Sequence, residues 1–145
     1  MGRYVFGFGP DGTEGDPTDV QRLGGKGAGL AAMVRLGAPV PPGFTISAEV
    51  CATRRQHAGA DPAELAGEID AALVRLERTL ARRFGDPAHP LLVSVRSGAA
   101  VSMPGMMDTI LNLGLSSAGV HGLARKTRNP RFAWDAFRRL IQMYG

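Results

Sequence analysis

The run Val93-Ser94-Val95-Arg96-Ser97-Gly98-Ala99-Ala100-Val101-Ser102-Met103-Pro104-Gly105-Met106-Met107-Asp108-Thr109-Ile110-Leu111-Asn112 constrains this chain most. Leu91 to Val95 reads as a buried strand. It delivers one arginine and then a loop of small, backbone-exposing residues. Glycine, alanine and serine after a strand-end charge suit an anion held close to the main chain. Arginine adds a rigid fork of donors that matches phosphate. The local reading is phosphate handling at a strand-to-loop junction.

The chain has 145 residues, enough for one domain and one core. Its 44% hydrophobic and 21% charged residues are ordinary for a globular protein. Twenty glycines and ten prolines cluster around 7–17, 24–29, 37–43 and 98–114, as turning or functional loops do. Net charge is +4 and the isoelectric point near 10.0. The bases are interleaved with acids, as in Arg75-Leu76-Glu77-Arg78, and aromatics are few, which argues against nucleic acid. An anionic small ligand or an acidic partner explains the excess. Cys51 stands alone, so no internal disulfide forms and a reducing compartment is expected. Following Val50 in a helix, it reads as a buried, inert thiol. With no signal peptide and no apolar run of about 20 residues, the expected location is the cytoplasm, away from membranes.

Strands, helices and loops alternate. Tyr4 to Phe8 reads as a strand and Pro10 to Asp19 as a polar loop. Gly24 to Leu36 has helical spacing, and Gly37 is placed to end it. Pro39-Val40-Pro41-Pro42-Gly43 is an extended connector. Phe44 to Ile46 is a short strand, and Ser47 caps a helix to about Gln56. Leu65, Ile69, Leu73, Leu76, Leu80 and Phe84 mark a helix over Pro62 to Phe84, capped by Asp61 and ended by Gly85. A last helix starts at Asn129-Pro130 and carries Phe132, Trp134, Phe137, Leu140, Ile141 and Tyr144. Its aromatic face needs a partner.

Two constellations point to phosphate. Leu23-Gly24-Gly25-Lys26-Gly27-Ala28-Gly29-Leu30 sets a lysine among glycines at a helix start, where unpaired N–H groups and the dipole favour anions. It is no Walker A loop, because Val20 and Gly27 stand where glycine and Ser or Thr belong. Gly27-x-Gly29-x-x-Ala32 fits the dinucleotide fingerprint loosely, but Asp19-Val20-Gln21-Arg22 makes a poor preceding strand. The alternative is a glycine turn with Lys26 merely solvated. In the second constellation, alternation puts Ser94 and Arg96 on one strand face. The alternative there is a pairing of Arg96 with a carboxylate such as Asp108. The methionines around Gly105 are either core packing or a soft surface for a base. One carboxylate makes no metal site.

These motifs, with Leu36-Gly37-Ala38-Pro39-Val40-Pro41-Pro42-Gly43-Phe44-Thr45-Ile46, Arg131-Phe132-Ala133-Trp134 and Arg138-Arg139-Leu140-Ile141-Gln142-Met143-Tyr144-Gly145, resemble the pyruvate, phosphate dikinase family in order over nearly the whole chain. The Ser-Met-Pro-Gly-Met-Met-Asp-Thr stretch (102–109) separates it from phosphoenolpyruvate synthase. The resemblance implies an α/β (α+β), ATP-grasp-like fold, with residues 1–145 as the N-terminal portion of the nucleotide-binding domain. It implies use of ATP, inorganic phosphate, pyruvate and Mg²⁺ to make AMP, pyrophosphate and phosphoenolpyruvate through a phosphohistidine carrier. Lys26, with Gly25 and Gly27, matches the family's phosphate-contacting lysine motif. Arg96 matches its phosphate-binding, catalytic arginine. Ser102, Met103, Gly105, Asp108 and Thr109 match the loop over the nucleotide phosphates. The second lobe, the carrier-histidine domain and the C-terminal barrel have no counterpart; His57, His89 and His121 lack the carrier's context. Metal ligands are therefore expected from the missing lobe, the partners are the enzyme's remaining domains or a partner chain, and the fragment is expected not to turn over alone. Trp134 stands where the family more often has Tyr, a change expected to lie in the core. The alternatives are a stand-alone nucleotide- or phosphate-binding module, a phosphoenolpyruvate synthase part, and a non-functional remnant.

Overall fold

The computed structural model describes residues 2–97 and 109–144. The described residues form helices and two small antiparallel sheets. The described residues fall into two compact units, 2–76 and 77–97 with 109–144.

In the first unit β1 (Val5–Gly9) lies between the two-residue β2 (Gly12–Thr13) and β3 (Gly43–Ile46). Phe6 opposes Thr45 and Phe8 opposes Thr13. β2 falls inside the stretch expected to be loop. α1 (Val20–Arg35) packs on this sheet through Leu23, Ala28 and Ala31, which bury Phe6. It closes as expected at Gly37, whose left-handed φ of 81° lets Gly37 N donate to Val34 O and Ala38 N to Met33 O. Ser47 is buried, and its Oγ accepts from Glu49 N. The helix it was expected to cap is α2 (Glu49–Gln56), one residue further on, with Ala48 at the cap. Val50 points into a second cluster with Val5, Leu65 and Ala72. Cys51, one residue on and about 100° around the helix, is exposed rather than buried.

α3 (Leu65–Leu80) is shorter than its apolar spacing predicts. Asp61 does not cap it. Its carboxylate grips Arg54 on α2 through two guanidinium nitrogens. Leu65 and Leu76 are buried, but Leu80 and Phe84 are about 40% exposed, and Ala81 leaves the helix with a φ of 52°. Glu68 on α3 accepts from Tyr4 N and Val5 N, both at 2.8 Å, and so ties down the start of β1.

The second unit holds β4 (Val93–Arg96), β5 (Thr109–Leu113), α4 (Ser117–Thr127) and α5 (Pro130–Tyr144). Leu115, Val120, Ala133, Ala136 and Leu140 form its core. Leu91 is buried, yet Ser94 to Arg96 are exposed; among the described residues β4 pairs with β5 alone. Ser116 caps α4, its Oγ accepting from Gly119 N at 3.0 Å. Asn129 caps α5 as expected, accepting from Phe132 N at 3.1 Å. Val120 packs fully buried, while Gly122 brings α4 so close to Pro87 that a β-carbon would lie 2.2 Å from its carbonyl oxygen. Trp134 lies outside the core, 48% exposed.

Candidate functional site

The helix carrying Lys26 does not run unbroken. Asp19 caps its first turn, the carboxylate accepting from Arg22 N at 3.2 Å. At Gly24 the backbone swings to φ 73°, ψ 168°, a conformation open almost solely to glycine. A second helical segment then starts at Gly25 and runs to Arg35. The break puts Lys26 in the first turn of that segment, at the positive end of its dipole. Sequence reasoning began the helix at Gly24, which is the break itself, and missed the turn before it. The doubled glycine was the signal.

The three neighbours differ. Lys26 is exposed and Gly25 half-buried. Gly27 is buried, and a β-carbon there would lie 2.8 Å from Thr45 Cγ2. Its glycine is required by the close approach of α1 to β3, whatever else it does. Arg22 holds this corner together: it donates to Arg3 O at 2.7 Å, approaches Glu49 at 3.4 Å and lies 5.0 Å over the Phe6 ring. Glu14 bridges Arg3 and Arg75 beside it.

In the second unit Arg96 ends β4, exposed, directly opposite Thr109, the first residue of β5. Opposed residues on paired strands face the same way with Cβ atoms roughly 5 Å apart, so the sheet brings Arg96 and Thr109 together. The register slips by one between Val93–Leu113 and Val95–Ile110. Asn112 absorbs the extra residue in the left-handed region, φ 59°. The bulge places Ile110 and Leu113, three residues apart, on one face, and both pack on the core of this unit. Ser102, Met103, Gly105 and Asp108 lie outside the described residues. Among the described residues no group of three or more His, Cys, Asp or Glu is placed to hold a metal ion, and no helix is long and apolar enough to cross a membrane.

The shifted ionisations fall on other residues. Hydrogen bonds from Thr18 hold Asp16 below the usual carboxylate range, and backbone N–H groups of Ala88 and His89 do the same for Asp86. Asp61 raises Arg54.

No family model matches the chain. Whole curated proteins do. It is 50% identical over all 145 residues to pyruvate, phosphate dikinase of Rhizobium meliloti and 49% identical over the same span to that of Clostridium symbiosum. It is 52% identical over 143 residues to that of Giardia intestinalis. The relatives form one class, the phosphotransferases. From end to end the chain is a relative of the pyruvate, phosphate dikinases, and it spans about 16% of the length of each of these three.

Proposed function

We propose that this chain is the ATP- and phosphate-contacting, N-terminal part of a cytoplasmic pyruvate, phosphate dikinase with an ATP-grasp-like architecture. The observation that carries the reading is the end-to-end identity of about half with relatives that share this name. The placement of Lys26 and Arg96 supports it, since both are exposed cations on backbone elements that glycines or a loop leave approachable. In phosphoryl transfer the protein chiefly positions groups and neutralises charge. Lys26 supplies an ammonium in the first turn of the helical segment that starts at Gly25. Arg96 supplies a planar fork, and Thr109 a hydroxyl on the same strand face. Ser102, Met103, Gly105 and Asp108, outside the described residues, match the family's loop over the nucleotide phosphates. ATP brings Mg²⁺, whose charge offsets that of the phosphates; its protein ligands come from the remainder of the enzyme, as do pyruvate and the histidine carrier. The chain alone therefore binds without turning over.

Calorimetry with Mg-ATP tests this. Saturable binding is expected, weakened about tenfold or more by Lys26→Ala and by Arg96→Ala, each removing a charge-assisted contact of about 1.5–3 kcal/mol. Binding left unchanged by both substitutions would sink the assignment of these residues.

A further inference from the structure

Arg22 belongs to the turn that precedes the break at Gly24, four residues before Lys26. Its main chain is held from both sides. Arg22 N donates to the Asp19 carboxylate at 3.2 Å, and Arg22 O accepts from Ala48 N at 2.8 Å. In an unbroken helix Arg22 O would face the N–H four residues on, that of Lys26. The acceptance from Ala48 ties this turn to the start of α2 just where the helix breaks. The side chain makes a second tie. Its guanidinium donates to Arg3 O at 2.7 Å and to Glu49 at 3.4 Å, and it lies 5.0 Å over the Phe6 ring. One residue thus joins the turn to the start of β1 and to the start of α2.

Lys26 therefore stands between two fixed points. Before it, Leu23 is buried beside Gly15, where a β-carbon would lie 2.8 Å from Leu23 Cδ1. After it, Gly27 rests against Thr45. Between Leu23 and Lys26 come Gly24 and Gly25, residues with more backbone freedom than any other type. A glycine pair does not by itself hold the residue that follows in one place. The ties at Arg22 take up that freedom from the side of the turn.

We infer that Arg22 is a positioning residue for Lys26: by pinning the turn before the Gly24 break to β1 and α2, it fixes where the ammonium is delivered to a phosphate. The inference rests on the reading of Lys26 as a phosphate contact. A cation already held in place binds its anion without a further ordering cost, so loss of the clamp shows as lost affinity. Direct contact between Arg22 and the anion is the competing account. Its guanidinium is already met by two carboxylates, Glu49 at 3.4 Å and Asp19 at 3.9 Å, and by a main-chain carbonyl, which favours the positioning role.

A double-mutant cycle on Mg-ATP binding, read by calorimetry on chains folded by circular dichroism, tests this. Arg22→Met keeps an apolar stem over the Phe6 ring and removes the donors. It is expected to weaken binding about fivefold. In a Lys26→Ala background the same substitution is expected to cost nothing more, because an effect exerted through Lys26 disappears with it. Arg22→Lys keeps the charge and loses the planar fork, and is expected to bind as weakly as Arg22→Met. The proposal fails if Arg22→Met binds like wild type, if it costs the same factor with and without Lys26, or if Arg22→Lys restores full affinity. A second measurement needs no nucleotide. In NMR relaxation the order parameter of the Lys26 amide is expected to fall from about 0.85 in the wild type toward about 0.6 in Arg22→Met, with Ala31 unchanged. An unchanged Lys26 amide overturns the positioning role even if ATP binds. A loosened Lys26 amide in a protein whose wild type binds no ATP would uphold the clamp and sink the phosphate reading, so the two fail separately.

Discussion

Two glycines five residues apart in α1 answer to opposite physics. Gly24 holds φ 73° and ψ 168°, where a β-carbon collides with its own backbone. Gly24→Ala is expected to lower the unfolding free energy by about 1–3 kcal/mol. Gly29 is an exposed position inside the helical segment, and a β-carbon there would meet nothing within 4 Å. Gly29→Ala is expected to raise stability by about 0.5–1 kcal/mol, because alanine has less backbone freedom to lose. Urea denaturation of the two variants checks both signs. Destabilisation by both would mean that the glycines of this motif share one constraint, contrary to the geometry. In the sequence these residues look alike, since a motif shows composition and conceals which member bears the strain.

Local punctuation was the legible part at the level of elements. Gly37 ends α1 and Asn129 starts α5 because each acts through backbone groups within a few residues. Faces were less legible. The apolar repeat of α3 continues to Phe84, but burial stops at Leu76, since a side chain is buried only where another element lies against it. Cys51 shows the same limit: α2 buries Val50 and so turns its neighbour outward. The Arg96 strand was expected to be buried; among the described residues it pairs with β5 alone, and Ser94 to Arg96 are exposed. On α5, hydrogen bonds from Arg138, with Arg139 nearby, hold the Asp135 carboxyl below its ordinary value of 3.8. A lowered folded-state value means that the stabilisation is present above the unfolded value and fades as pH falls through the folded one. The Asp135 carboxyl signal in an NMR titration should therefore have its midpoint below 3.8. Arg138→Gln should move it upward. A midpoint at or above 3.8 in the wild type would contradict the pairing.

Across the described residues, the first unit holds two buried clusters and the second one, and the single tryptophan of the chain reports on the second unit. Val120→Ala, at a position with no exposed surface, is expected to cost about 2 kcal/mol and to lower the urea midpoint followed by Trp134 fluorescence. Val74→Ala, at a 42% exposed position, should stay within about 0.5 kcal/mol. Equal effects would mean that the buried cluster around Val120 is not what holds the second unit. The resemblance to the dikinases and most of the order of elements could be read from the chain because they are written in contiguous residues. The pairing of Arg96 with Thr109 could not, because it depends on a register fixed beyond the intervening loop. That register contains one residue of slack. With Asn112 looped out of the ladder, a chain shortened at this position would keep Val93 against Leu113 and Val95 against Ile110, with every face preserved. Elsewhere in this sheet the loss of one residue would turn the strand inside out. What such a shortened hairpin would lose is the added twist of the bulge, and with it the direction in which Arg96 points.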